Sequence, residues 1–282
     1  MIYSFSRHGD IAIVADEVGI EIGIVGAHRL RVCYQPIFAR LGASLCAVAV
    51  YGFAMPFQHG QAVPHQAFHD TVPPCERFAV TALGAALGLR NLEHAGAGGV
   101  RLALRADLQS AATAGRVRAA VRLLAVEIER NRLEPRAISV ELTGIAKADQ
   151  RTVLAAFDAL RHRGIAVAIL EQGNGPALGL LPDPLRADVV RIDGAWFRAV
   201  ARHAQTARLF AALVRAYRSS GAQVLVDGIA TETGLRVALD SEAELFSGPL
   251  LAPPALAGEV FPDAPLPIEA LFAERRVIQL FR

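Results

Sequence analysis

The sequence predicts an α/β protein whose parallel strands close into one TIM-like (β/α)8 barrel. Three observations carry this expectation. Apolar runs of strand length end in charge: 165–170 runs into Glu171, 188–192 into Asp193, and 223–226 into Asp227. Segments with helical apolar spacing follow them, so strand and helix alternate along the chain. The number of such units favours a closed barrel over an open doubly wound sheet, and no Gly-x-Gly-x-x-Gly fingerprint follows any strand. Barrels of this kind build their sites at the carboxyl ends of the strands, which makes the charges closing each run the functional candidates.

The elements follow in order. Residues 1–30 alternate weakly between apolar and charged positions, with glycines at 19, 23 and 26, and predict a strand or hairpin arm. Strands are expected at 32–38 and 45–53, turned by Leu41, Gly42, Ala43 and Ser44. Residues 55–74 are rich in His, Gln and Pro and are expected to be loop; 77–90 have helical spacing. Residues 96–99 break the chain before a strand at 100–104. Then come a helix over 114–132, a strand over 137–142 and a helix over 147–163 closed by Gly164. Strand 165–170, a short helix near 176–181, strand 188–192, helices across 194–219, strand 223–226 and helix 231–239 complete the rhythm. Beyond Pro253 it stops, with 268–275 expected as helix and 277–281 as a last strand or docking tail. The expected organisation is an arm over 1–30, a barrel over 31–258, and a tail over 259–282 that packs on the barrel or mediates self-association, for instance as a homodimer.

Composition narrows the function classes. Hydrophobic content of 53% with 20% charged residues describes a soluble globular protein with an ample core. A net charge of +2 implies no polyanion, so nucleic acid is not an expected partner. Lys147 is the only lysine, which excludes lysine chemistry elsewhere. Cys33, Cys46 and Cys75 are odd in number and lack Cys-x-x-Cys spacing, which points to reduced thiols in the cytoplasm. No signal peptide is expected at the start of the chain. The most apolar uncharged stretch, 41–57, reaches the lower limit of a membrane span, but Gly42, Gly52 and Pro56 make it paired strands. His65 and His69 lie four apart without a His-Glu-x-x-His pattern, so no zinc site is expected, and no Gly-x-Ser-x-Gly supports a nucleophilic hydrolase.

Six short motifs in order carry a family resemblance. Tyr34-Gln35-Pro36-Ile37 matches an opening YQPI; Glu141-Leu142-Thr143 matches a glutamate-hydrophobic-threonine strand end; Gly173-Asn174-Gly175 resembles the end of a DDFGTG turn. Arg191-Ile192-Asp193 resembles KID, Asp227-Gly228-Ile229 resembles the end of AEGV, and Gly248 to Pro253 resembles a closing QG…P segment. Together, over about residues 30–255, they resemble the EAL-domain family, barrel phosphodiesterases that open the bacterial messenger cyclic di-GMP.

The resemblance implies a catalytically degenerate member. The signature glutamate-alanine-leucine falls on Val48-Ala49-Val50, and the phosphate-holding arginine on Gly52. The metal-binding asparagine falls on Ala103. The tandem aspartates fall on Leu170 and Glu171, the KID lysine on Arg191, the AEGV glutamate on Asp227 and the closing glutamine on Ser247. Of the family's main acidic and amide ligands, only Glu141 survives unchanged. Family hydrolysis implies two divalent cations, and hydrocarbon at 48, 103 and 170 offers no oxygen donor, so neither a metal nor another cofactor is expected. Arg191 is the natural counter-charge for Glu141, Glu171 and Asp227, in the space a cation would hold. Structural roles compete at other positions: Gln35 satisfies backbone groups or touches a nucleotide, Asp193 caps a helix or serves the site, and Asp227 belongs to a turn or to the site. The expected function is a non-enzymatic regulatory module, cytoplasmic, that binds another protein, with cyclic di-GMP binding weakened; by resemblance such members act in motility or biofilm control. The alternative is an active phosphodiesterase with rearranged Mg²⁺ or Mn²⁺ ligands.

Overall fold

A computed structural model of the chain describes residues 11–96, 99–173, 185–259 and 264–272, with the backbone of Tyr3–Ser4. The strands are β1 (Tyr3–Ser4), β2 (Ile11–Ala15), β3 (Glu21–Val25), β4 (His28–Leu41), β5 (Ser44–Gln58), β6 (Gln61–Ala62), β7 (Arg101–Asp107) and β8 (Ile138–Thr143). They continue as β9 (Ala166–Glu171), β10 (Val189–Ile192), β11 (Gln223–Val226), β12 (Leu245–Phe246), β13 (Ala255–Leu256) and β14 (Leu266–Pro267). The helices are α1 (His65–Thr71), α2 (Arg77–Arg90), α3 (Leu108–Ala111), α4 (Ala114–Arg130), α5 (Gln150–Arg161), α6 (Gly194–Val200), α7 (Ala204–Ser219), α8 (Glu232–Asp240) and α9 (Ile268–Leu271).

Eight strands close the barrel in the order β4, β5, β7, β8, β9, β10, β11, β12. Seven run parallel, while β4 runs antiparallel to both of its neighbours, β5 and β12. The reversal follows from the two-residue connection between β4 and β5. Gly42 has φ +62°, the sign such a hairpin loop demands at its first position, and this loop leaves no room for a crossover helix. Crossover segments carry helices onto the outer face between β5 and β7, β7 and β8, β8 and β9, β10 and β11, and β11 and β12; most of the β9–β10 connection lies outside the described residues. Four of those helices start at the signals the sequence offers: Thr113, Asp149, Asp193 and Thr231 each accept a hydrogen bond from a backbone N–H of the first turn.

The arm is a continuation of the first barrel strand. β2 and β3 form a hairpin whose second strand pairs with β4 from Gly23↔Leu30 to Val25↔His28. Its inner face closes on α2, where Gly23 sits so near Leu83 and Leu87 that a side chain would overlap them. Arg90 of α2 ties the layers together through two 2.8 Å bonds to Glu127 of α4 and a 3.1 Å bond to Glu21 of β3.

Two sequence expectations need correction. Residues 55–74 are not a loop: β5 continues to Gln58, β6 pairs back on it, and α1 follows with Phe68 buried. Pro56 is tolerated because its nitrogen faces away from β4, toward the short β6 return, where its carbonyl still accepts from Val63 N–H at 2.8 Å. Strand β7 extends to Asp107, three residues past the expected end. The helix near 176–181, the turn at 174–175 and the tail segment 277–281 lie outside the described residues. The described part of the tail packs on the barrel: β14 pairs with Ser44 and Leu45, Ile268 N–H donates to Ala43 O, and Phe272 lies under the Arg236 guanidinium. Among the described residues, no helix is long and apolar enough to cross a membrane.

Candidate functional site

Alternation along each strand decides which side chains enter the lumen. Register carries the lumen face around the barrel, pairing Gln35 with Tyr51, Tyr51 with Ala103, Arg105 with Glu141, Glu141 with Ala168 and Leu170 with Arg191. At the centre stands Arg191. Its Nε donates to Glu141 Oε2 at 2.5 Å, its Nη2 to Glu141 Oε1 at 3.3 Å, and its Nη1 to Asp227 Oδ2 at 2.6 Å. The guanidinium carbon lies 4.9 Å from the centre of the Tyr51 ring, a cation–π distance. Tyr51 closes the set by donating its hydroxyl to Glu141 Oε1 at 3.3 Å.

Burial makes this cluster electrostatically stiff. Glu141 exposes 2% of its side chain and Arg191 16%. Burial alone would lower the Arg191 guanidinium, but the adjacent Glu141 carboxylate, with Tyr51 and Asp227, outweighs it and holds Arg191 above its ordinary value. The Tyr51 hydroxyl is pushed well above the usual phenol range by burial and by Glu141. Two carboxylates thus share one permanent cation, and Arg105 adds a second positive charge one row along the same face.

The remaining candidates fall into place as follows. Glu171 does not join the cluster: successive strand residues face opposite sides, so the carboxylate beside Leu170 points into the helix layer. There it accepts from Tyr217 Oη at 2.9 Å and from Gly173 N–H at 2.8 Å. Asp193 caps α6, its Oδ1 accepting from Ala195 N–H at 2.9 Å and Trp196 N–H at 3.0 Å. Asp227 serves both turn and cluster, since its other oxygen accepts from Gly228 N–H at 2.7 Å. Gln35 donates to Ala252 O at 3.0 Å, a backbone bond that straps the closing segment to β4. Ser247 is buried and donates to Pro36 O at 3.0 Å. Val48 is the extra residue of a bulge opposite Ile37 and Phe38. Gly52 faces outward against Leu102 and Tyr34, so no side chain at that position would reach the lumen. Ala103 and Leu170 do face it and bring only hydrocarbon.

Sequence reasoning missed Tyr51 and Arg105. The signal was present for both: Tyr51 lies two residues beyond Ala49 on an alternating strand, and Arg105 lies two beyond Ala103.

Comparison with known proteins agrees with this architecture. The EAL domain family model matches residues 23–254. No curated protein sequence matches the chain. Among solved structures, the EAL enzyme Bd1971 in its cAMP- and cyclic di-GMP-bound form superposes with a TM-score of 0.67 at 16% identity, covering 82% of this chain and 63% of that one. The Bacillus subtilis YkuI protein, with an EAL domain, in complex with substrate cyclic di-GMP and calcium, gives 0.68 at 16% identity over 86% of this chain and 60% of its own. The PaMucR phosphodiesterase in complex with cyclic di-GMP gives 0.65 at 18% identity over 81% of this chain and 97% of its own. The chain therefore spans less than two thirds of the Bd1971 and YkuI chains. With the family pattern running through nearly the whole barrel and the fold shared with these structures, the chain belongs to the EAL domain family.

Proposed function

We propose that this chain is a non-catalytic EAL-domain regulatory protein that acts by binding another protein, with cyclic di-GMP binding weakened or lost. The observation that carries this reading is the position of Arg191, paired at once with Glu141 and Asp227 inside the lumen. The family resemblance implies a pair of divalent cations, and hard cations such as Mg²⁺ need oxygen donors at about 2.1 Å. Around Arg191 the lumen face presents Ala103, Leu170, Tyr51 and two carboxylates already satisfied by the guanidinium. These residues do not fit a cation pair, because a fixed positive charge occupies the middle of the donor set. The reading therefore contains no metal-borne step and requires no cofactor. Leu123 and Val126, exposed one turn apart on α4, supply apolar surface of the kind a protein partner covers.

The test is turnover of cyclic di-GMP by the purified chain with Mg²⁺ or Mn²⁺, together with calorimetric titration of the nucleotide. The expected outcome is no hydrolysis and little or no heat of binding in either metal. Metal-dependent hydrolysis that Glu141→Gln abolishes would overturn the proposal in favour of an active phosphodiesterase with rearranged ligands.

A further inference from the structure

We propose that the amino-terminal end of the barrel holds a second site, one that binds a small monoanion with an apolar body: a single-ring aromatic or short branched aliphatic carboxylate. The starts of the strands surround a cavity of about 220 Å³, on the opposite side of the Arg191 cluster from the strand ends where Asp227 and Ser247 lie. Barrel lumens are normally filled by layers of bulky branched side chains. Here β5, β7 and β9 contribute Ala49, Ala103 and Ala168, and β8 contributes Ser139, so the layers leave the space open. Leu225 and Leu245 complete a largely apolar wall. An apolar cavity of about 150 Å³ is enough to hold benzene. The larger volume here admits a six-membered ring with one further group, and nothing the size of a dinucleotide.

Charge sets the orientation. The rim carries Arg101, which opens β7, and Arg136, which precedes β8; two carboxylates stand near them, Asp188 in the wall and Glu134 beside Arg136 at the surface. Asp188 is already engaged, accepting from Val167 N–H at 2.7 Å. Arg101 is 3.5 Å from Gln223 Oε1, and among the described residues Arg136 pairs at the surface with Glu134 at 4.0 Å. Such exposed pairings are weak, so both guanidinium groups are able to grip a carboxylate. The inner end of the cavity is the Tyr51–Glu141–Arg191 cluster, where the guanidinium is already committed to the carboxylates of Glu141 and Asp227. The ligand therefore enters apolar end first and leaves its carboxylate at the rim.

The experiment is titration of the full chain with benzoate, 4-methylpentanoate and the neutral isostere benzamide, read by calorimetry and saturation-transfer NMR. Saturable binding of either acid is expected, with benzamide weaker than benzoate by about tenfold for want of charge-assisted hydrogen bonds. Arg101→Gln combined with Arg136→Gln, both at the surface, should reduce benzoate to the benzamide level. Ala103→Leu should fill the lumen and block all three. If that variant fails to fold, the arginine pair still decides. Absence of saturation by both acids, equal binding of benzoate and benzamide, or benzoate binding indifferent to the arginine substitutions would overturn the assignment. Cyclic di-GMP turnover reads the other end of the barrel, so the two proposals fail separately.

Discussion

Replacing Arg191 by Met tests the lumen cluster directly. The thioether keeps much of the side-chain length but leaves Glu141, with 2% of its side chain exposed, and Asp227, with 24%, without their shared cation. Removing one partner of a buried ion pair costs about 3–5 kcal/mol. Asp227 regains some hydration at its exposed edge, which places the loss near the lower end, about 3 kcal/mol. For a chain of this size each kcal/mol moves Tm by about 2–4 °C, so Arg191→Met should melt roughly 6–12 °C lower. The loss also acquires a pH dependence. An unpaired buried carboxylate neutralises itself by taking up a proton. The folded variant then binds a proton that the unfolded chain does not, and its deficit grows as pH rises. Urea unfolding followed by circular dichroism at about pH 5 and about pH 8 measures both effects. Combining Arg191→Met with Glu141→Gln should recover part of the loss, because only the more exposed Asp227 then stays charged without its cation. A single variant within about 0.5 kcal/mol of the parent, or with the same deficit at both pH values, would refute the reasoning.

Three further outcomes are expected. Asp193→Ala should cost about 1 kcal/mol through loss of the α6 cap, measured by urea unfolding, and should leave any cyclic di-GMP titration unchanged. Tyr217→Phe should destabilise by about 1–3 kcal/mol in the same assay, since it removes a hydrogen bond from the buried Glu171 carboxylate and leaves Gly173 N–H as its partner. Burial, reinforced by Glu259, pushes the Cys33 thiol up to about 11, so the reactive thiolate is scarce at neutral pH. Mass spectrometry after brief iodoacetamide treatment at neutral pH should find the exposed Cys75 alkylated and Cys33 untouched until the pH approaches that value or urea is added.

The barrel was legible because its strands advertise themselves twice, once by apolar runs and again by the charge that ends each run. Helix starts were less uniform: the helix expected from 114 begins there behind Thr113, whereas the one expected from 147 begins at Gln150, where Asp149 caps it. The stretch after Phe53 was misread because His, Gln and Pro weigh against a strand by composition, whereas the ladder partner at Arg29, Leu30 and Arg31 decided it. At the site, Arg191 and its two carboxylates could be found from charge at the strand ends. Glu171 was misassigned because side-chain direction depends on strand parity, and one residue of offset turns a lumen group into a helix-layer group. Tyr51 was overlooked for a related reason: the bulge at Val48 shifts the count along β5, and alternation places Tyr51 in the lumen when it is counted from Ala49, past the bulge.

The arm has a mechanical consequence. Between His28 and Leu41 the same backbone serves first as partner to the hairpin and then as a stave of the barrel, with no joint between. At about 3.3 Å per residue, Leu30 in the hairpin sheet stands roughly 17 Å from Gln35 in the lumen wall. A stiff ribbon of that length acts as a lever: a load applied to the hairpin is delivered, undamped by any loop, to the strap that Gln35 holds on Ala252.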